Sequence, residues 1–255
     1  GIGASAGGLK VLQKFFDYLD DESEMAFVVI THLAPEKTSA MDKLLAPHTS
    51  MNVQQVRGKT EVEPNHIYII PPNKQLLLEE GELLLENKKE GQQAVIDVFF
   101  RSLAKECEKM AIGIILSGTG SDGTLGLKAV KEYGGVTMVQ DPNEATYNGM
   151  PRSAIDTDLV DFILPVEKLA QKVLNHKEVL GKVNVPLKEA DLSEGENAGL
   201  QRIFSLLASK KGHDFKHYKR SSVLRRLQRR LFVTNNQTIG EYADYLGQNP
   251  DEITE

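Results

Sequence analysis

Three short stretches of this chain carry side chains that could make and break an acyl bond. Gly3-Ala4-Ser5-Ala6-Gly7 fits the pattern G-x-S-x-G, in which small neighbours let a serine sit on a sharp strand-to-helix turn with its hydroxyl exposed. His32 closes an apolar run over residues 26–32 and is followed by Leu33, Ala34 and Pro35, so it stands where a strand gives way to a loop. A third apolar run, over residues 110–118, leads into Gly118-Thr119-Gly120-Ser121-Asp122-Gly123. Taken singly, each has a plain structural reading: a serine among glycines caps a helix or fills a turn, and a strand-end histidine satisfies a local hydrogen bond. Taken together, Ser5, His32 and Asp122 have the composition of a nucleophile, a general base and an acid that orients the imidazolium. Their order along the chain, Ser, His, Asp, differs from the Ser, Asp, His order of the α/β-hydrolases. The other histidines do not share this placement: His66 opens its run and points to the opposite edge, while His48, His176, His213 and His217 fall in helical or surface contexts.

Bringing three strand ends to one edge requires parallel strands, and the elements around the candidates support that. The apolar runs at 26–32, 66–72, 110–118, 134–141 and 158–165 are continuous instead of alternating, as expected for strands covered on both faces. Between them, GLKVLQKFFDYL, AVIDVFFRSLAKECEKM and TLGLKAVKEYG space apolar residues at three and four, the helical period. The expected fold is α/β, a doubly wound and mainly parallel sheet. QLLLEEGELLLEN interrupts it as an antiparallel hairpin turning at Glu80 and Gly81.

The loop after the third run admits a competing reading. Gly118, Gly120 and Gly123 satisfy G-x-G-x-x-G, and Asp141 closes the next strand about 18 residues on, as in a dinucleotide-binding oxidoreductase. Asp122 argues against it, because a carboxylate inside that turn would repel a pyrophosphate.

Composition sets the outer limits. With 255 residues, 40% of them hydrophobic, the chain can build one large core or two smaller ones. A single cysteine, Cys107, excludes an internal disulfide or a cysteine metal cluster and suits a reducing cytoplasm. No apolar run approaches the roughly 20 residues that span a bilayer, and the opening residues lack the features of a signal peptide. The net charge of -6 hides an asymmetry: residues 202–230 hold ten Lys and Arg against one acid, Asp214. Such a split points to two units with different partners. The stretch from Asn184 to Gly199, rich in Glu, Asp, Gly and Ser, reads as the connection. The expected organisation is a catalytic domain at 1–180, a linker at 181–198 and a small all-α domain at 199–255. In the last of these, Val223, Leu224, Leu227 and Leu231 form an apolar stripe, and Arg225, Arg226, Arg229 and Arg230 a basic face. That face could meet an acidic partner, bind nucleic acid, or be a solvated helix surface.

GIGASAGG, THLAP, IDVFFRSL, ILSGTGSDG and YNGMPRSAI occur in the order and spacing of one family. Residues 1–176 resemble the catalytic domain of the bacterial chemotaxis-type protein-glutamate methylesterases. The resemblance implies a cofactor-independent serine hydrolase that removes methyl groups from glutamate γ-esters on cytoplasmic receptor helices, and that in many members also deamidates glutamines. It places the catalytic roles on Ser5, His32 and Asp122, and oxyanion or site-shaping roles on Ala6, Thr119 and Met150. Two departures stand out: Thr119 replaces a methionine of the familiar aspartate loop, and His32-Leu33-Ala34-Pro35 replaces the frequent His-Met-Pro. The familiar enzyme's receiver domain does not precede Ser5, so the esterase is expected to act without phosphorylation or under restraint by the rest of the fusion. The second unit resembles the N-terminal helical domain of the receptor methyltransferases, which implies contact with methylated receptor helices through Arg226, Arg229 and Arg230, and no role in binding nucleic acid or inserting into a membrane. The S-adenosylmethionine-binding domain of those enzymes is not among these residues, so this stretch is not expected to methylate. A catalytically silent scaffold of the same fold is the remaining alternative.

Overall fold

The computed structural model describes residues 1–19, 23–31, 41–88, 94–182, 191–211, 218 and 220–254. They divide into two compact units, Gly1–Leu174 and Asn175–Glu255.

The first unit is built on seven strands: β1 (Ile2–Ala4), β2 (Ala26–Thr31), β3 (Asn52–Gln55), β5 (His66–Ile69), β8 (Ile112–Ile115), β9 (Val136–Gln140) and β10 (Phe162–Leu164). Their order is β10-β9-β8-β1-β2-β5-β3, and every pairing is parallel. The chain runs outward from β1 through β2 and then returns to β8 on the other side of β1. That reversal opens a crevice at the carboxyl ends of the central strands, where ligands of such sheets gather.

Both faces of the sheet are covered, which explains the unbroken apolar runs. On β2, Val28 and Ile30 join a core with Ile96, Phe99 and Phe100 of α3 (Val95–Cys107) and with Leu127 and Val130 of α4 (Thr124–Glu132). The alternate residue Phe27 meets Phe15 and Phe16 of α1 (Gly8–Asp17) edge to face on the opposite side. A short α2 (Met41–Leu45) packs against α1 and β3 on that side, and α5 (Gly149–Ile155) and α6 (Val166–Lys182) follow the later strands.

The hairpin pairs β6 (Lys74–Glu79) with β7 (Glu82–Asn87). Its two-residue turn has φ of 51° at Glu80 and 77° at Gly81, the pair of left-handed residues whose twist matches a β-ribbon. Two strands fall outside the expected set. β3 lies at the sheet edge with one apolar residue, Val53, among polar ones, and β4 (Thr60–Glu61) is a two-residue addition to the hairpin. Neither carries the hydrophobic pattern by which strands are read.

The second unit contains α7 (Glu194–Lys211), α8 (Arg220–Val233) and α9 (Ile239–Gln248). They close over Leu200, Ile203, Phe204, Leu224, Leu227, Leu231, Tyr242 and Leu246. Gly199 and Gly240 let α7 and α9 approach closely, since a Cβ on Gly199 would lie 3.1 Å from the Gly240 nitrogen. The stretch expected to be linker through residue 198 is already helical from Glu194. Its start is fixed by a capping box, in which the Glu196 N–H donates to Ser193 Oγ and the Ser193 N–H donates to Glu196 Oε2 at 2.8 Å. The polar composition of that stretch reflects a helix start as much as a connection.

Candidate active site

Ser5 follows β1 directly and is itself buried, with its N–H donating to the Ser117 carbonyl at 2.9 Å. The chain turns into α1 through Gly7, whose φ of 74° is left-handed. Space as well as backbone angle requires glycine here: a Cβ on Gly7 would stand 2.8 Å from Ser117 Oγ, and one on Gly8 would stand 2.9 Å from the Ala4 Cβ. The Ala6 N–H at this bend has no acceptor among the described residues.

Asp122 follows β8, the strand paired with β1. Its Oδ2 accepts from the Ile96 N–H and its Oδ1 from the Asp97 N–H, both at 3.0 Å. These are first-turn donors of α3, which no side chain of its own loop caps, so Asp122 serves as that helix's cap from another element. Asp97 returns the arrangement: its Oδ1 accepts from the Gly126 N–H in the first turn of α4 at 2.7 Å. Two helices that start side by side thus each take a carboxylate from the other. Burial pushes the Asp97 carboxyl above its ordinary range; the Gly126 N–H opposes that rise and the Asp122 carboxylate adds to it. A carboxylate oxygen has two lone pairs, so one backbone donor on each leaves Asp122 the capacity to take an imidazole N–H as well.

The glycines of the Asp122 loop have individual causes. Gly120 and Gly123 are left-handed at φ 80° and 95°, and a Cβ on Gly123 would strike the Ile115 Cδ1 at 2.3 Å. Gly118 faces the Met150 sulfur and lies against Ser5, whose Cβ would be 3.0 Å from a Cβ placed there. Met150 is therefore buried behind Gly118 and not on the rim, and its N–H donates to the Gly118 carbonyl at 2.9 Å. Thr119 is exposed, and its N–H also lacks an acceptor among the described residues. The dinucleotide reading loses its anion site: the N-terminus of α4, where a pyrophosphate would sit, already holds the Asp97 carboxylate. Asp141 meanwhile accepts from the Asn143 N–H in a local turn.

β2 pairs with β1 on the side away from β8, with Thr31 opposite Ala4. His32 is the next residue and lies outside the described residues. β8, whose following loop carries Asp122, and β2, which ends at Thr31, thus flank β1, which leads into Ser5. Of the other histidines, His48 is 2.8 Å from Asp17, at the end of α1, and His66 is 2.9 Å from the Pro64 carbonyl, a local contact.

The basic face of α8 is narrower than its sequence implies. Arg226 is exposed, but Arg229 is only 8% exposed. Arg230 makes a two-pronged contact with Glu252, Nε to Oε1 at 2.8 Å and a terminal nitrogen to Oε2 at 2.7 Å, and Tyr242 donates to the same carboxylate at 2.8 Å. A four-arginine face would require all of them to turn outward, whereas the helix's own domain draws two of them in. The Arg225 side chain lies outside the described residues. Arg226 borders a cavity of about 460 Å³ walled largely by apolar side chains such as Leu207, Val223 and Leu227.

Sequence reasoning missed Asp97 and Ser117. Both sit inside quoted motifs, where Asp97 is an acid on an otherwise apolar helix face and Ser117 a hydroxyl closing an apolar strand.

An elbow serine after β1 and a helix-capping aspartate in the loop after the neighbouring β8, at the switch point of a parallel α/β sheet, fit the layout of a serine hydrolase. Residues 1–173 match the CheB methylesterase family, and the chain belongs to it. Residues 198–255 match the all-alpha domain of CheR methyltransferase. The crystal structure of the Thermotoga maritima CheB methylesterase catalytic domain superposes with a TM-score of 0.64 at 29% identity, covering 68% of this chain and 95% of that one. Protein-glutamate methylesterase/protein-glutamine glutaminase 2 of Rhizobium johnstonii is 32% identical over 179 residues, covering 68% of this chain and 49% of that protein. An uncharacterized 104.1 kDa protein of Rhodobacter capsulatus is 32% identical over 233 residues, spanning both units; the match covers 84% of this chain and 24% of that protein.

Proposed function

We propose that the first unit is a protein-glutamate methylesterase acting on chemoreceptor-like signalling proteins in the cytoplasm, with glutamine deamidation as a second outcome of the same chemistry. In this reading His32 takes the Ser5 proton as Oγ attacks the glutamyl ester carbonyl. The Ala6 and Thr119 N–H groups receive the charge that develops on the carbonyl oxygen. His32 returns the proton to the departing methoxide, methanol leaves, and water activated by His32 then hydrolyses the acyl-Ser5 ester to release the glutamate carboxylate. Asp122, fixed by the α3 N-terminus, keeps the imidazole in the productive tautomer. Only side chains, main-chain N–H groups and water are used, so neither a metal nor S-adenosylmethionine takes part.

The observation that supports this reading is the position of β1, which leads into the Ser5 elbow, between β8, whose following loop carries Asp122, and β2, which ends one residue before His32. For the second unit, support for receptor docking now rests on the exposed Arg226 beside an apolar cavity, a combination that fits an acidic amphipathic helix. Among the described residues no helix is long and apolar enough to cross a membrane. The direct test is methanol release from receptor-helix peptides carrying glutamate methyl esters. The intact chain should release it and Ser5→Ala should not; equal release by folded Ser5→Ala would overturn the assignment.

A further inference from the structure

One buried hydroxyl joins the elbow to the segment around Tyr147. Ser117, 1% exposed, lies two residues past β8 and one residue before the Asp122 loop begins. Its Oγ donates to the Ala6 carbonyl at 2.9 Å, with the Tyr147 carbonyl as a longer alternative at 3.3 Å, and accepts from the Tyr147 N–H at 3.1 Å. Its main chain is equally committed: its carbonyl takes the Ser5 N–H, and its own N–H donates to Gln140 Oε1 at 3.0 Å. Gln140 is held in turn by Glu144, which Lys14 of α1 binds. The residue after Ser117 repeats the link, since the Gly118 N–H donates to the Tyr147 carbonyl at 2.9 Å.

We infer that Ser117 is a positioning residue for the hydrolysis at Ser5: its hydroxyl fixes the Ala6–Gly7 peptide of the elbow and ties it to the loop around Tyr147. The proposal rests on the assignment of Ser5 as nucleophile. The physical reason lies in the peptide planes. Ala6 is the one residue of the elbow whose N–H and carbonyl both bear on the chemistry, the N–H as a donor without an internal acceptor and the carbonyl as the atom Ser117 holds. Anchoring that carbonyl beneath the left-handed Gly7 limits rotation of the Ala6 backbone and hence the aim of its N–H. With the anchor gone, the Ala6 carbonyl and the Tyr147 N–H lose a partner, and the elbow and the 145–149 loop are free to part. Small displacements of donor and nucleophile reduce turnover without removing a catalytic group.

The test compares Ser117→Ala, Ser117→Thr and Ser117→Val with wild type and Ser5→Ala in the intact chain. Thr keeps the hydroxyl, whereas Val has the shape of Thr without it, so this pair isolates the hydrogen bonds even if the Ala variant folds poorly. The readout is kcat and KM for methanol release from a peptide carrying a glutamate γ-methyl ester, measured well below each variant's melting temperature. Ala and Val should lower kcat by about tenfold to a hundredfold while KM stays within about twofold, and Thr should stay near wild type. Val turning over as fast as Thr, or a loss confined to KM, would overturn the proposal. Activity in Ser5→Ala would overturn the nucleophile assignment and this proposal with it, whereas an inactive Ser5→Ala beside a fully active Ser117→Val removes Ser117 alone.

Discussion

Each unit buries a carboxylate cluster, and the two clusters are built on opposite principles. Around Asp122 and Asp97 two like charges lie close together, each held by N–H groups at the start of the other's helix. Around Glu252 an arginine and a tyrosine converge on one carboxylate, with opposite charges paired in a site where Arg230 and Glu252 side chains are 12% and 7% exposed. Backbone dipoles hold an anion in place without cancelling its charge, so the first cluster remains able to orient an imidazolium. Full pairing with an arginine satisfies the anion and leaves a tie between α8, α9 and the closing turn. On the proposed assignment the same side-chain type does chemistry in one unit and fastening in the other, and the difference lies in whether its partner is a dipole or a countercharge.

The largest effect should come from breaking the fastened cluster. Glu252→Ala removes the carboxylate that pairs with Arg230 and accepts from Tyr242, at an expected cost of about 3–5 kcal/mol to the helical unit. Chemical denaturation of the intact chain should show a weakened transition for that unit while ester hydrolysis at Ser5 persists. A loss under about 1 kcal/mol would mean that the pair is screened by water.

A smaller, pH-dependent effect should mark the dipole-held cluster. Burial raises the Asp97 carboxyl above its ordinary value of 3.8, so the folded chain keeps that proton longer than the unfolded chain does. The associated stability is complete below the unfolded value and is lost as pH rises through the folded one. Asp97→Asn retains an oxygen for the Gly126 N–H and has no proton to lose. Its stability relative to wild type should therefore improve across a pH window that opens at the ordinary value of 3.8 and extends upward. Parallel stability curves across that window would show that Asp97 is not held above its ordinary range.

The smallest stability effect belongs to the exposed Arg226. Arg226→Glu should change stability by no more than about 0.5 kcal/mol, yet weaken binding of an acidic receptor-helix peptide and reduce its salt dependence. Unchanged peptide affinity at matched salt would remove the docking role. Tight duplex DNA binding that the substitution abolishes would transfer the surface to nucleic acid.

Legibility from sequence follows the same division. The parallel sheet was readable because β2, β5, β8 and β9 lie in largely apolar runs, a pattern that burial on both faces demands. β3 escaped because an edge strand with a single apolar residue has no such demand placed on it. At the site, Ser5 and Asp122 were marked by the glycines around them, whose absent side chains make room for Met150, Ile115 and Ser117. Ser117 and Asp97 escaped because their partners are main-chain groups of distant segments, which leave no periodic trace. In the helical unit the apolar stripe of α8 was readable from spacing. Which arginines turn inward was not, because that depends on Glu252, more than 20 residues away in the chain.

The most direct measurement of the central claim is to treat the intact chain with a fluorophosphonate, which reports an activated serine by forming a stable bond to its oxygen, and to locate the adduct by peptide mass. The account predicts one adduct, on Ser5, absent from Ser5→Ala and formed much more slowly in His32→Ala and Asp122→Asn. An adduct on another serine, or labelling of Ser5 at an undiminished rate in His32→Ala, would contradict it.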